Sequence, residues 1–301
     1  MFWDKLDRFG QEGRACLFII SYDLREGAVF PLDALPDFIE YGFDAPAQGD
    51  LIPLKPSPLP FETYRAKFDA LQTQIDQGNS YLANLTAPTP LKNSESLESL
   101  YRAARAPFKL LWKERFACFS PEPFVTIEEN TIRAFPMKGT AQGDPQALIN
   151  SPKELGEHTM VVDLLRNDLA QAAKNVRVEK WRYLQKAGDL WQTSSQIAGD
   201  LPSGWQNRLG GLLKTLLPAG SISGAPKKKT VEILNAIEGY ERGFFTGVFG
   251  VFDGKNLQSA VMIRFIEQTP AGLVFKSGGG ITYESDAKSE YHELIAKVRL
   301  P

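Results

Sequence analysis

With 301 residues, of which 43% are hydrophobic and 23% charged, the chain has the size and composition of a globular enzyme. Its net charge of −2 at pH 7, without a stripe of Lys and Arg alternating with aromatic residues, excludes the basic surface typical of nucleic-acid binding. The N-terminus has no signal-peptide pattern and no stretch reaches the ~18 apolar residues of a membrane helix, so we expect a cytoplasmic protein that acts on small molecules.

The N-terminal part of the chain predicts a short strand-rich segment. Residues 15–30 have the pattern of two strands joined by a polar turn, and the Pro-rich residues 52–60 indicate a connector. We therefore expect residues 1–60 to be a short segment that belongs to the same fold as a larger domain, residues 61–301.

The larger part mixes helices and strands without a regular βαβ alternation, so an α+β fold is favoured over a doubly wound sheet. Apolar residues at helical spacing predict helices over residues 63–77, 152–169, 210–217, 228–237 and 286–300. Apolar and alternating runs predict strands at residues 81–86, 108–119, 124–128, 131–135, 247–252, 257–265 and 273–277. The run 135–140, which contains Lys138, is interpreted as a turn.

Two pairs of glutamates lie on predicted helices. Glu154 and Glu157 are one turn apart near the start of the 152–169 helix, and Glu290 and Glu293 are one turn apart on the last helix, with Lys297 on the same stripe. Each pair alone is typical of a solvated helix face. If the two pairs face each other, their four negative charges require a hard cation such as Mg²⁺. His158 and His292 each adjoin one of these glutamates and are interpreted as supporting or surface residues.

Other residues suit the binding of an anion, each with a plainer alternative. Lys138 could be a nucleophilic amine or a surface lysine in a turn. Arg264 ends an apolar strand, where it could bind a carboxylate or lie at a strand edge. The glycines at 278–280 allow a close approach of backbone to an anion, although glycine triplets more often form turns.

Several long motifs, found in order between about residue 63 and residue 300, resemble those of the chorismate-utilising enzymes. These enzymes include the first components of anthranilate synthase and aminodeoxychorismate synthase, isochorismate synthase and salicylate synthase. The motifs are Ser-Pro-Glu ending at Glu122, PMKGT, EHTMVVDLLRND, PAGSISGAPK and SGGGITYESDAKSEYHE. The resemblance implies a single intertwined α+β domain, in which two orthogonally packed, antiparallel-rich sheets are flanked by helices, as in anthranilate synthase component I.

The resemblance also implies roles for individual residues. Glu157 and Glu293 would hold Mg²⁺ against a carboxylate of chorismate, with Glu154 and Glu290 in support. Glu122 matches the general acid that protonates the departing 4-hydroxyl group. The substrate carboxylates would be bound by Gly139, Thr140, Arg264, Gly278 and Lys297.

Two positions discriminate among the members of the family. Lys138 resembles the lysine with which aminodeoxychorismate synthases attack C2 of chorismate, before ammonia enters at C4 and expels it. Leu82 stands where isochorismate and salicylate synthases have a lysine that activates water, and leucine cannot be that base. The expected activity is that of aminodeoxychorismate synthase component I, on the route to 4-aminobenzoate and folate. Anthranilate synthase component I and a chorismate-binding protein without turnover remain alternatives.

The expected source of ammonia is a second protein. The sequence has no glutaminase signature, such as a nucleophilic cysteine in a Gly-rich elbow with a matching histidine. The family pattern therefore implies a separate glutamine amidotransferase partner.

Overall fold

A computed structural model describes residues 1–44, 49–142, 145–187 and 190–301 of the chain. Within these ranges the description covers the backbone but not the side chain of nine residues, Lys138, Thr140, Ala141, Gln142, Ala147, Lys153, Lys186, Ala187 and Leu190.

Helices occur along the whole of the described chain. They are α1 (Phe2–Gln11), α2 (Phe61–Asp76), α3 (Leu97–Ala103), α4 (Gln146–Asn150), α5 (Pro152–Ala170), α6 (Leu209–Leu216), α7 (Gly220–Ser223), α8 (Lys227–Ile237) and α9 (Ala287–Ala296). Short 3₁₀ turns lie at Leu32–Ala34 and Trp205–Arg208. Among the described residues, no helix is long and apolar enough to cross a lipid bilayer.

The strands form two antiparallel sheets. The first half of the chain contributes β1 (Cys16–Ile20), β2 (Gly27–Pro31), β3 (Ile39–Phe43), β4 (Leu82–Pro90), β5 (Phe108–Trp112), β6 (Phe116–Ser120), β7 (Pro123–Glu128), β8 (Thr131–Ala134) and β9 (Met137–Gln142). The second half contributes β10 (Lys174–Ala187), β11 (Leu190–Asp200), β12 (Gly224–Ala225), β13 (Val248–Phe252), β14 (Leu257–Val261), β15 (Phe265–Thr269) and β16 (Gly272–Thr282). The larger sheet has the order β10-β11-β8-β7-β14-β13-β1-β2, with β9 also paired to β11, and the smaller has the order β12-β4-β16-β15-β6-β5-β3.

The two sheets meet across an apolar core. Leu17, Ile19 and Phe249 of the larger sheet belong to the same buried cluster as Leu110 and Phe265 of the smaller one. Because successive strand residues face opposite sides, these alternate residues pack between the sheets, and the helices cover the outer faces. The predicted α+β class and the two antiparallel sheets are confirmed.

Most of the predicted elements are present, with shifts of a few residues at their ends. Helix α5 begins where the sequence indicates, because the Ser151 hydroxyl accepts a hydrogen bond from the Glu154 N–H and Pro152 occupies the first turn. Helix α2 buries Phe68, Leu71 and Ile75 at the predicted spacing.

Four expectations are wrong. Residues 108–119 form two strands of a hairpin, and residues 257–265 are divided between β14 and β15. The glycines at 278–280 lie inside β16 and not in a turn. The run 135–140 is not a turn either, because its second half is the start of β9.

Candidate active site

One end of helix α9 packs against the glycines of β16 and carries the predicted acidic stripe. The Lys297 ammonium group, at the C-terminal cap of α9, donates to the Gly278 carbonyl at 2.7 Å and pairs with Glu293 Oε1 at 2.7 Å. A Cβ atom on Gly279 would lie 3.3 Å from Glu290 Oε2 and 4.0 Å from Glu293 Oε1. The absence of a side chain at Gly279 therefore leaves a space bordered by two carboxylates and an ammonium group.

Helix α5 brings a third carboxylate to this space. The pKa of Glu290 is raised, first by burial and then by the negative charges of Glu293 and Glu157. Lys297 and a hydrogen bond from Ser285 partly oppose this rise. The charge of Glu157 on α5 therefore reaches Glu290 on α9, so these two predicted acidic residues act on each other electrostatically.

Arg264 lies beside the same end of α9. It connects β14 to β15 with a left-handed backbone, at φ 53°, and its guanidinium donates to the Lys297 carbonyl at 2.7 Å. Burial is the main cause that lowers its pKa, followed by the positive charge of Arg299, while Glu293 acts in the opposite direction. No ion pair between this partly buried guanidinium and a carboxylate is found in the part of the chain that the structure describes, so Arg264 is suited to bind an anionic ligand.

Strand β9 approaches helix α5 through a bulge at Gly139. Lys138 pairs with Thr193 and Thr140 with Gln192 of β11, which leaves Gly139 as the extra residue, at φ +70°. A Cβ atom there would overlap the Glu154 carboxylate, so only glycine permits this contact. The side chains of Lys138 and Thr140 lie outside the described part of the structure.

Glu122 lies at a second position, between β6 and β7. Its carboxylate accepts a 2.5 Å hydrogen bond from the Ser221 hydroxyl, which is presented by the short helix α7. The next residue, Ile222, accepts a hydrogen bond from the Asn84 amide at 3.2 Å, and Asn84 pairs with Gly280 of β16. A chain of contacts thus connects the predicted general acid to the glycines beside α9.

An ion pair that the sequence analysis did not single out joins two of these motifs. Asp168, near the end of α5, pairs with Lys227 at the start of α8 at 2.7 Å, and both side chains are largely buried. Burial raises the pKa of Asp168, and Lys227 lowers it. The pair joins α5, which carries Glu157, to the start of α8, which follows shortly after Ser221 in the chain.

The two histidines have different environments. His292 is exposed, in line with the surface interpretation. His158 is fully buried, and its Nε2 atom lies 2.7 Å from the Ser195 hydroxyl of β11. A surface position is therefore wrong for His158, while its supporting role stays a prediction.

The carboxylates suit a divalent cation by their chemistry. Glutamate oxygens are the donors that Mg²⁺ prefers, and a cation would relieve the repulsion that raises the pKa of Glu290. Within the described ranges, however, no three His, Cys, Asp or Glu side chains are close enough to form a ready-made metal site. Because Mg²⁺ usually takes only one or two protein carboxylates and completes its shell with water and substrate oxygens, this set fits a site completed by the substrate.

A separate cavity of about 380 Å³ lies on the outer face of α5 and β10. None of the predicted site residues lines it. Its walls are formed by Thr159, Met160, Val162, Asp163, Arg166, Val178 and Trp181.

Comparison with known proteins agrees with the motifs and the fold. The chorismate binding enzyme family matches residues 44–301. An uncharacterized PabA-like protein of Pasteurella multocida (strain Pm70) is 45% identical over 320 residues, which cover 100% of this chain and 98% of the relative. The chain belongs to the chorismate binding enzyme family.

Two more distant members show the range of the family. Aminodeoxychorismate synthase component 1 of Klebsiella aerogenes is 33% identical over 257 residues, covering 79% of this chain and 56% of the relative. The crystal structure of anthranilate synthase component I from Streptococcus pneumoniae TIGR4 has a TM-score of 0.70 at 24% identity, covering 83% of this chain and 59% of that one. It shows that the two proteins share a fold.

Sequence reasoning missed several residues that shape the site of this chorismate binding enzyme. Ser221, Asp168 and Lys227 all lie inside motifs that carried the resemblance, so a signal was present, but their partners come from distant parts of the chain. Ser195 lies outside every motif. Its contact with His158 becomes visible only once β11 is placed beside α5.

Proposed function

We propose that this chorismate binding enzyme is aminodeoxychorismate synthase component I, which converts chorismate and ammonia to 4-amino-4-deoxychorismate. The observation that carries the proposal is the position of Lys138, whose neighbour Gly139 bulges from β9 against the Glu154 carboxylate. The backbone of Lys138 is therefore next to a residue that approaches the acidic helix α5. The similarity to the Klebsiella aerogenes enzyme supports the assignment.

Cationic and backbone groups would bind the two carboxylates of chorismate. Lys297 and the partly buried Arg264 lie at one end of α9, where the Arg264 guanidinium donates to the Lys297 carbonyl. Gly278 lies beside Lys297, while Gly139 and Thr140 belong to the β9 bulge. Gly278 lies on the smaller sheet, whereas Gly139 and Thr140 lie on a strand paired to the larger one. We therefore expect the set around Lys297 and the set on β9 to bind different arms of the substrate.

Mg²⁺ is the proposed cofactor. Glu157 and Glu293 would hold it, with Glu154 and Glu290 in support. When bound, it would neutralise a substrate carboxylate and stabilise negative charge that develops on the ring. Lys297 balances part of the negative charge of the glutamates themselves, because its ammonium group pairs with Glu293.

The proposed reaction begins when the neutral Lys138 amine forms a bond to C2 of chorismate. Both ring double bonds shift, the bond between C4 and its hydroxyl breaks, and Glu122 gives the hydroxyl a proton so that water leaves. Ammonia then forms a bond to C4, the double bonds shift back, and Lys138 leaves as the neutral amine. The new C4 ammonium group returns a proton to Glu122, so the enzyme is restored.

Two residues must hold the correct protonation state for these steps. Glu122 must be protonated at the start, and its hydrogen bond from the Ser221 hydroxyl fixes the direction of its carboxyl group. Lys138 must be uncharged, which a water-excluded site between α5 and β9 would favour because burial disfavours an ammonium ion.

Ammonia is proposed to come from a separate glutamine amidotransferase in the cytoplasm. The chain has no glutaminase signature, and the aminodeoxychorismate synthase to which it is similar is itself named as one component. Robust use of glutamine by this chain alone would contradict the proposal of a separate partner.

The test is to incubate the purified chain with chorismate, Mg²⁺ and ammonium and to identify the product by mass. We expect 4-amino-4-deoxychorismate, and Lys138→Ala should lower its formation by more than about a hundredfold while chorismate still binds, because a covalent step is lost. Fluorescent anthranilate with pyruvate would instead identify an anthranilate synthase. Binding without any product would indicate a binding protein.

A further inference from the structure

A single buried residue, Ser195, contacts both helix α5, which carries Glu154 and Glu157, and the segment that leads into β9. Ser195 lies on β11 and is fully buried. Its N–H donates to the Pro136 carbonyl at 3.0 Å, at the entry to β9. Its Oγ atom accepts the Arg182 N–H at 2.9 Å and lies 2.7 Å from His158 Nε2 of helix α5.

An irregularity of β10 brings its backbone into contact with this hydroxyl. Lys180 pairs with Gln196 and Tyr183 with Ser194, so β10 bulges opposite Ser195. Arg182, in the bulge, has φ 39°, a left-handed conformation that non-glycine residues adopt rarely. This conformation turns the Arg182 N–H toward Ser195 Oγ.

The Arg182 side chain extends the connection to helix α4. Its guanidinium donates to the Leu148 carbonyl at 2.7 Å and to the Ile149 carbonyl at 3.2 Å, near the end of α4. Carbonyls in the last turn of a helix have no partner within the helix, so Arg182 supplies donors that they need. Helix α4 lies in the segment between Gly139 and Glu154, and the Leu148 side chain packs beside Gly139.

His158 connects the same hydroxyl to the acidic helix. It follows Glu157 directly and lies one turn after Glu154 on α5. Because a helix is rigid over one turn, fixing His158 against β11 also fixes the rotation and height of both glutamates. Ser195 thus contacts, directly or through Arg182, both ends of the segment that runs from β9 to α5.

We propose that Ser195 is a positioning residue, whose hydroxyl sets Glu154 and Glu157 of α5 in place against the Lys138–Thr140 part of β9. The proposal rests on the function proposed above, since it assumes that these glutamates and β9 act on one substrate. Loss of the hydroxyl removes the acceptor of the partly buried Arg182 N–H and takes one partner from His158, so α5 shifts relative to the sheet. Small displacements of this kind weaken a site whose metal ligands and substrate-binding groups must be held in a fixed orientation.

The experiment measures the Mg²⁺ concentration that gives half-maximal chorismate binding, by calorimetry with the full-length protein. Ser195→Ala should raise this concentration about tenfold, the usual scale for removing a group that orients metal ligands. Ser194→Ala is the matched control. Ser194 is equally buried on the same strand but bonds only to Gln185 among the hydrogen bonds described for its hydroxyl, so we expect the wild-type value.

A second pair of variants tests the same connection without altering Ser195. In His158→Gln the amide reaches about as far as Nε2 and can keep the bond to Ser195, whereas in His158→Asn it reaches only as far as Nδ1. We expect near-wild-type Mg²⁺ dependence for His158→Gln and a rise of about tenfold for His158→Asn. A role in stability alone would affect both variants similarly, and this pair also decides the question if Ser195→Ala fails to fold.

A wild-type Mg²⁺ requirement in folded Ser195→Ala, or equal values for the two His158 variants, would overturn the positioning proposal. Chorismate binding that does not respond to Mg²⁺ in the wild-type protein would overturn it as well. Because calorimetry needs no turnover, a wild-type chain that binds chorismate but does not aminate it would contradict the proposed function and still test Ser195.

Discussion

The hydrogen bond between Ser221 and Glu122 orients the side chain that we propose as the general acid. Glu122 follows Pro121 in the connection between β6 and β7, and its own N–H is satisfied by the Ser120 hydroxyl at 3.1 Å. Its carboxylate, however, receives the Ser221 hydroxyl from α7 at 2.5 Å. The backbone and the side chain of Glu122 are thus oriented by different elements, so the acid is held before the substrate arrives.

Ser221→Ala should lower kcat about tenfold and leave KM for chorismate nearly unchanged. The physical reason is that a general acid contributes about 10²–10⁴-fold to a rate, and poor orientation loses part of that contribution. Steady-state assays of chorismate consumption provide the measurement. Ser221→Thr, which keeps the hydroxyl, is the control and should retain most of the activity; equal losses in both variants would argue against a role for the hydrogen bond.

At the scale of elements, the ion pair between Asp168 and Lys227 joins α5 to α8. The Lys227 ammonium group also donates to the Leu216 carbonyl at 3.1 Å, so it holds the end of α6 as well. A Cβ atom on Gly220 would lie 2.5 Å from Asp168 Oδ2, which explains the glycine at the start of α7. Three helices and the Ser221 segment therefore meet at one largely buried pair.

Lys227→Met should destabilise the protein by about 3 kcal/mol near pH 8, because removing one partner leaves a buried carboxylate without its cation. Burial already raises the pKa of Asp168, and the loss of Lys227 should raise it further. A raised pKa means that the folded state holds its proton more tightly than the unfolded state, so stability falls as pH rises from the ordinary carboxyl value through the folded one. The destabilisation should therefore be smaller near pH 5.

Urea unfolding at the two pH values measures this difference. Lys228→Met is the control, because Lys228 is the exposed neighbour on α8. It should change stability by less than about 0.5 kcal/mol at either pH. A destabilisation by Lys227→Met that is independent of pH would show that Asp168 is not the group left uncompensated.

The elements that sequence could predict are those whose pattern is local. Helix α5 has its cap, its proline and its apolar spacing within one stretch, and its start is right. The hairpin of β10 and β11 was missed because three register shifts interrupt the period of two along β10. The glycines of β16 were misread because their cause is tertiary: a Cβ atom on Gly278 would overlap Thr86, and one on Gly279 would approach Glu290.

The features of the candidate site also fall into those that a local sequence pattern predicts and those that depend on tertiary packing. The spacing of Glu290, Glu293 and Lys297 predicts a common stripe, and the structure places these residues together at the end of α9. No pattern within one segment could show that Glu157 lies close enough to raise the pKa of Glu290. That proximity depends on how α5 and α9 pack, and the sequence suggested it only through resemblance to a family.

At the scale of the whole molecule, the N-terminal residues are part of the core, although the family match begins only at residue 44. Strand β1 lies between β13 and β2 in the larger sheet, and Leu17, Phe18, Ile19 and Ile20 are completely buried. Helix α1 adds a polar contact, because the Asp7 carboxylate accepts the Gly210 N–H at 2.7 Å at the start of α6. The N-terminal segment therefore contributes β1 to the larger sheet and α1 to the helical layer that covers it.

Deletion of residues 1–43 should prevent folding of the remaining chain. Four fully buried side chains of β1 contribute roughly 1.5–3 kcal/mol each, and their sum is comparable to the ~5–15 kcal/mol by which a native protein is stable. The deletion also exposes the edge of β13 and part of the core between the sheets. Near-UV circular dichroism and cooperative urea unfolding measure the outcome.

The control for this deletion is Asp33→Ala, which breaks only the exposed pair of Arg14 and Asp33 in the same segment. Exposed ion pairs contribute about 0–1 kcal/mol, so this variant should fold and unfold like the wild-type protein. If the chain of residues 44–301 shows a wild-type near-UV spectrum and a cooperative transition, β1 is dispensable and the core formed by the other strands is sufficient. A loss of both signals in the deletion alone would establish that the N-terminal strands are needed to hold the two sheets, and with them the site, together.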